Sequence, residues 1–452
     1  MARAPGRLDV MGGFADYSGS LVLELPLAVG TWVVAQPVAG ASVVICSPEV
    51  VAVGGLSPVT LPLEALTPSG GALTDPEARA LLTGDPRTAW AAYVAGGIVL
   101  LHREHGRRPS TGLRLTVHSD VPFGEGVSSS AALEVAALEA VSAMLGVELG
   151  ARALALLAQA VENRIVGAPC GVMDQMTAAA GQADHLLELL CQPAEWRGNL
   201  PIPGDLEFLG VTSGVRHAVA GADYGTVRTA AFMGYTMVAS RLGLRIEPVA
   251  PGRVRVVDDV LGGYLANLPL ARWDGELRAS VPAHMTGQEF LDRHRGSPDP
   301  ATYVRPEQTY AVRACTEHPI REHARVTEFR QRLGEAAVVN STVSPTVDAR
   351  ARRLGELMRA SHDSYGACGL GSPATDLLVA LADATGPAAG ILGAKISGGG
   401  SGGTVVLLAR KGHRHAIEET VLAPYRKATG LPAGLLAGSS SGSRILGVHR
   451  LP

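Results

Sequence analysis

At 452 residues the chain is long enough for two or three domains and a sizeable core. A formal net charge of −3 and a pI near 6.5 argue against a dedicated nucleic-acid or anionic-membrane binder. The longest apolar stretch, residues 89–101, is broken by glycines and falls short of the ~20 residues of a membrane span, and five cysteines without a Cys-x-x-Cys pair, with no export signal at the start, predict a reduced, cytoplasmic protein without structural zinc.

The opening MARAPGRLDVMGGFADYSGSLVLELPLAVG sets polar residues in an apolar frame. Leu8, Val10 and residues 21–23 read as strands, with Arg7, Asp9, Asp16 and Tyr17 beside glycines at the turn between them. Arg7 and Asp16 are the pair of interest, because a fixed guanidinium and a carboxylate suit recognition of phosphate and of sugar hydroxyls. A motif so close to the start predicts that an upstream strand is absent or trimmed. Residues 35–87 read as short strands and proline-bearing loops. Trp90 begins a helix running to His105, and is either a wall for a base or a core tryptophan.

Leu113, Leu115 and Val117 alternate with Arg114, Thr116 and His118, the period of a half-buried strand. SAALEVAALEAVSAML then reads as a buried helix stopped by Gly146. Between them, Gly124 and Gly126 permit close approach of the backbone, and Ser128, Ser129 and Ser130 supply a cap and hydroxyls where the first helical N–H groups point outward. Strand, glycine loop and open helix N-terminus make an anion site suited to phosphate. The lysines of the chain, Lys395, Lys411 and Lys427, are not followed by Ser or Thr, and the third glycine of a dinucleotide fingerprint falls on Ser129. Phosphate is therefore expected to be held without a P-loop lysine.

Residues 152–164 read as an Ala/Leu-rich helix with Glu162 near its end. In GAPCGVMDQ, Asp174 stands beside Cys170, Gly171 and methionines, where an unpaired carboxylate is costly to bury, which makes it the best single candidate for a catalytic group. Residues 192–204, proline-rich and polar, are the expected boundary between parts spanning 1–198 and 199–452. LEFLGVTSG reads as a strand, Tyr224 falls on a loop or helix start, residues 244–317 are hard to read, and residues 320–333 and 349–362 read as helices. KISGGGSGGTVVLL is a second glycine loop feeding a strand, and residues 438–442 read as a flexible link. His102/His105 and His413/His415 read as exposed charged turns, not metal sites.

In this order, PGRLDVMGGFADYSGS, VPFGEGVSSSAALEVA, GAPCGVMDQ and KISGGGSGGTVVLL resemble the motifs of the kinase superfamily named for galactokinase, homoserine kinase, mevalonate kinase and phosphomevalonate kinase, the GHMP kinases. RHAVAGADYGTVR and SHDSYGACGLGSPATDLLV extend the similarity towards its galactokinase and L-arabinokinase members. The resemblance implies an α+β, two-domain fold, with a ribosomal-protein-S5-like part over residues 1–198 and a ferredoxin-like part over residues 199–452. ATP and a monosaccharide would meet between them. It also implies that Gly124, Gly126, Ser128, Ser129 and Ser130 wrap the triphosphate, supported by Gly399 and Gly400, with Trp90 near adenine. Ser130 and Glu162 would hold Mg²⁺. Asp174 and Arg7 would be catalytic, and Asp16, Gly13, Phe14, Gly171 and Tyr224 would face the sugar.

Galactokinases carry GEHTDY where this chain has GGFADY, residues 12–17. In that family the Glu-His pair contacts the C6 hydroxymethyl side of galactose, a carbon that L-arabinopyranose lacks. Gly13 and Phe14 remove those polar contacts, and a site that leaves a substrate hydroxyl unpaired discriminates against it. The resemblance thus implies ATP-dependent phosphorylation of the anomeric hydroxyl of L-arabinose. D-galactose is the alternative, and a catalytically silent sugar sensor is less favoured because Ser130-Ala131 is intact. The expected partners are ATP and the sugar, with neither nucleic acid nor membrane, in a monomer or homodimer.

Overall fold

A computed structural model describes residues 1–215, 222–338 and 345–451. The first half is built on a seven-stranded sheet: β1 (Ala2–Met11), β2 (Leu21–Val38), β3 (Ser42–Cys46), β4 (Val59–Pro62), β5 (Gly112–Ser119), β6 (His185–Leu190) and β7 (Glu195–Pro201). β2 is its spine, long and rich in Val and Leu. It pairs antiparallel with β1 from Met11↔Leu23 to Ala2↔Val33, with β6 at its start and with β5 at its end. β3 and β5 run parallel.

Helices α1 (Ala92–His105), α2 (Ser129–Leu145), α3 (Ala151–Ala160) and α4 (Met173–Ala180) share one core with this sheet, their Ala and Leu side chains packing on its valines and leucines. α2 ends at Gly146 in the left-handed conformation, as the sequence predicts. α3 runs on into a single π turn, Val161–Val166, which carries Glu162.

The second half centres on an antiparallel sheet of β8 (Leu206–Thr212), β9 (Ile391–Ile396), β10 (Thr404–Arg410) and β11 (Gly434–Leu436), in the order β9-β10-β8-β11. Four long helices accompany it: α5 (Ala222–Arg241), α6 (Val312–Val338), α7 (Pro345–Cys368) and α8 (Pro373–Thr385). The hard-to-read region before α6 is a hairpin, Arg245–Ala250 with Gly252–Val257, followed by short helices and two-residue strands. Pieces this short carry no periodicity. They are held by a core of Trp273, Phe290 and Tyr310 shared with α5 and α6.

Two expectations are corrected. The expected boundary region, residues 192–204, holds the point where the chain leaves the first sheet, but the division falls after Pro201 and not at 198, because Glu195–Pro201 is the edge strand β7. Residues 438–442 are not a flexible link: the Gly442 N–H donates to the Gly181 carbonyl at 2.8 Å and the Ser439 hydroxyl to Asp184 at 3.0 Å. The chain then returns to β1, where the His449 N–H meets the Met1 carbonyl at 2.9 Å and the Met1 ammonium meets the His449 carbonyl at 2.7 Å. Among the described residues no helix is long and apolar enough to cross a membrane.

Candidate active site

The glycine loop before α2, the turn before α4, strand β1 and the loop between β9 and β10 converge on one cavity of about 110 Å³. Arg7 lies inside β1, not at the turn after it, and only 4% of its surface is exposed. Its backbone N–H donates to the Val127 carbonyl at 3.1 Å and its Nη1 to the Gly126 carbonyl at 2.8 Å, which fixes the guanidinium against the glycine loop. Nε and Nη2 then donate to the two carboxylate oxygens of Asp174, at 2.8 and 2.9 Å. Behind this pair, Glu24 Oε2 sits 3.4 Å from Arg7 Nε. Burial works against the charge on Arg7, but Asp174 and Glu24 more than offset it and hold the guanidinium protonated. Glu24 is itself pushed well above the usual carboxylate range by burial and by Asp9.

The three serines divide their work differently from the expected cap. Ser128 takes a left-handed backbone conformation, φ 61°, and its hydroxyl donates to Asp174 Oδ2. Ser130 bonds to Glu162. No side chain caps α2, so the positive end of the helix faces the cavity without an internal acceptor from that residue. The loop between β9 and β10 braces this arrangement from the other side. The Thr404 hydroxyl donates to the Glu125 carbonyl at 2.7 Å, and a Cβ on Gly398, φ 68°, would lie 2.8 Å from the Gly126 carbonyl.

Glu162 and Glu134 form a buried carboxylate pair bridged by one amide: Gln175 Nε2 lies 2.7 Å from Glu162 Oε2 and 3.2 Å from Glu134 Oε2. Burial and the nearby Asp174 push Glu162 up to about 7, and burial and Glu162 also push Glu134 well above the usual carboxylate range. Glu134 Oε1 and Gln175 Oε1 are buried without a hydrogen-bond partner. Among the described residues no group of three or more His, Cys, Asp or Glu side chains stands ready to hold a metal. Two protein oxygens, from Ser130 and Glu162, are nevertheless what a Mg²⁺ carried in on phosphates requires, and a carboxylate pair with no ion-pair partner fits added positive charge.

On the opposite wall, Asp16 is 4% exposed, with Oδ1 accepting the Tyr17 N–H at 2.7 Å. Its Oδ2 rests on Gly171, where a Cβ would stand only 1.6 Å away. Burial, then Asp174, push the Asp16 carboxyl up to about 7. Phe14 closes this side: it is 1% exposed, stacks on His318 with ring centroids 3.8 Å apart and meets Tyr365 edge-on at 4.8 Å. Tyr224 completes the wall and opens onto a neighbouring cleft of about 540 Å³ that also shares Ala168 and Pro169.

Most of the residues singled out from sequence line this cavity: Arg7, Phe14, Asp16, Gly124, Gly126, Ser128, Ser129, Ser130, Glu162, Gly171, Asp174, Tyr224 and Gly399. Three do not. Trp90 packs on the core of the first half and donates its indole N–H to the Leu56 carbonyl at 2.9 Å. Gly13 is pressed against Tyr365, whose hydroxyl would be 1.7 Å from a Cβ there, and Gly400 against Leu370. Sequence reasoning left out Glu24, Glu134, Gln175, Lys395 and Tyr365. Glu24 and Glu134 did carry a signal, each being a lone carboxylate inside an apolar run.

Three family models match the chain in order: the galactokinase galactose-binding signature over residues 1–37, the GHMP kinases N-terminal domain over 92–182 and the GHMP kinases C-terminal domain over 346–427. An L-arabinokinase of Arabidopsis thaliana is 38% identical over all of this chain, which spans 46% of that relative. Galactokinases of Chloroflexus aurantiacus and Actinobacillus succinogenes are 29% and 28% identical, covering 95% and 99% of this chain and 89% and 94% of their own lengths. Among solved structures, a Lactococcus lactis galactokinase complexed with galactose superposes with a TM-score of 0.72 at 20% identity over 98% of this chain and 93% of that one. Methanococcus jannaschii mevalonate kinase gives 0.56 at 14% over 97% and 98%.

Proposed function

The chain belongs to the GHMP kinase family, and from that premise we propose that it is a sugar 1-kinase, transferring the γ-phosphoryl group of ATP to the anomeric hydroxyl of L-arabinose to give L-arabinose 1-phosphate and ADP. The observation that carries the reading is the Arg7–Asp174 pair, fixed between a glycine loop at an open helix N-terminus and the Asp16–Gly171 wall.

In phosphoryl transfer a protein mainly aligns the reacting groups and stabilises charge. Asp174, oriented by Arg7 and Ser128, accepts the proton of the C1 hydroxyl as its oxygen forms the bond to the γ-phosphorus and the bond to the β,γ-bridging oxygen breaks. Arg7, held protonated, stabilises the equatorial oxygens of the transferring group. The N-terminus of α2 and the N–H groups of residues 124–130 take the triphosphate charge that a P-loop lysine takes elsewhere. Ser130 and Glu162 would hold Mg²⁺, which would supply positive charge against the triphosphate.

The choice of L-arabinose rests on Phe14 and on the likeness to the plant L-arabinokinase. An apolar ring at the wall offers no partner to a C6 hydroxyl. The matching galactose-binding signature keeps D-galactose as the second reading. ADP release measured in parallel on L-arabinose, D-galactose and D-glucuronate decides between them. A kcat/KM higher for L-arabinose is expected, equal or better turnover of D-galactose overturns the substrate, and no release on any sugar overturns the kinase.

A further inference from the structure

Asp9 is fully buried on β1, paired opposite Glu24 of the spine strand, and does not line the cavity, yet four donors from three separate parts of the chain converge on its carboxylate. The Gly13 N–H donates to Oδ1 at 2.9 Å. Oδ2 receives the Lys395 ammonium at 2.9 Å, the Tyr365 hydroxyl at 3.1 Å and the Gly398 N–H at 3.3 Å. The Asp9 N–H in turn donates to the Ser397 hydroxyl at 2.9 Å. Lys395 is as buried as its partner, and its ammonium lies 5.2 Å from the centre of the Tyr365 ring.

We infer that Asp9 and Lys395 are positioning residues for phosphoryl transfer, a buried ion pair that locks the sugar wall at Gly13–Phe14 and the phosphate side at Gly398 into one geometry. The linkage is physical at each end. Gly398 stands beside the Arg7 guanidinium, so that a Cβ added there would lie 3.2 Å from Nη2, and Tyr365 touches both Phe14 and the Gly398 carbonyl, to which its hydroxyl lies at 2.9 Å. A shift of Gly398 moves Arg7, and with it Asp174. This lysine therefore does not substitute for a P-loop lysine, since its charge is spent on Asp9 and it does not reach the cavity.

An ion pair kept merely for stability has a different kinetic signature from one that aligns reacting groups, because misalignment lowers turnover while leaving both substrates bound. Asp9→Asn turns donors against Lys395 and Gly398. Asp9→Asn combined with Lys395→Met removes both charges, and so avoids the lone buried charge that either change leaves. The doubly substituted chain is expected to melt close to the wild type but to turn over about 10-fold to 100-fold more slowly, with KM for ATP and sugar within about threefold. A folded double variant with wild-type kcat overturns the inference. Tyr365→Phe, which removes one hydroxyl only, settles the matter if the charge variants do not fold. It is expected to lower kcat about threefold to tenfold at unchanged KM, and unchanged kcat overturns the inference. The inference rests on the kinase reading: a wild-type chain without ADP release overturns both, whereas an active wild type with undiminished variants overturns this one alone.

Discussion

Arg7 and Asp174, 167 positions apart, meet fork to fork, with two parallel N–H···O bonds of 2.8 and 2.9 Å. Such a pair fixes a carboxylate in plane without occupying the face turned to the cavity. Asp174→Asn retains shape but offers the guanidinium an amide, and it is a poor proton acceptor. Turnover is expected to fall at least about 10³-fold, with a stability loss of about 1–3 kcal/mol for the unpaired Arg7, read by ADP release and thermal melting. Near-normal turnover in a folded variant removes Asp174 from the chemistry.

Asp16 supplies a pH dependence whose sign can be worked out. Its carboxyl is raised to about 7, so the protonated form dominates below that pH and the ionised form above it. Sugar hydroxyls donating to the carboxylate favour the ionised form, so binding should lower its pKa and expel a proton. Calorimetric titration with sugar near pH 7 in buffers of different ionisation enthalpy is expected to show proton release, and the sugar KM should rise as pH falls below 7. Absent proton release, with a KM flat from pH 6 to 8, Asp16 does not receive hydroxyls from the sugar. For folding the sign is opposite to that of an ion-paired Asp: the raised pKa removes stability as pH climbs from about 4 to 7.

Gly171 has no room for a methyl group, because Asp16 Oδ2 occupies the space. Gly171→Ala is expected to raise the sugar KM at least about tenfold by turning Asp16 away, while the ATP KM stays within about twofold. Equal losses for both substrates would mean that the turn before α4 had collapsed as a whole.

Phe14 is buried and stacks on His318 with ring centroids 3.8 Å apart. Phe14→Leu shortens the wall without emptying it. The D-galactose to L-arabinose ratio of kcat/KM is expected to rise about tenfold, the scale that one or two carbons carry in a hydrophobic pocket. An unchanged ratio places the C6 boundary elsewhere.

What the sequence made legible follows from how local each signal is. The glycine loop, α2 with its closing Gly146 and the strand after the second glycine loop could be read because turn chemistry and apolar periodicity act over a few residues. Asp174 could be read because an acidic residue in so apolar a setting needs a partner, although nothing nearby named Arg7 as that partner. The Asp9–Lys395 pair joins residues 386 apart, and in the sequence Lys395 only opens the second glycine loop, with nothing nearby to name Asp9 as its partner. Trp90 misled because the scarcity of aromatics speaks equally for a base wall and for a core. The expected division at 198 misled because proline and polarity describe an edge strand as well as a boundary.

The mutual backbone bonds of Met1 and His449 bring residues 1 and 449 of this chain side by side. A few linking residues there, with a new opening cut at the exposed Gly70–Gly71 turn, would give a circular permutant in which every side chain named above keeps its neighbours. Genes reordered in this way could be used to thread this chain into a host protein at a single point.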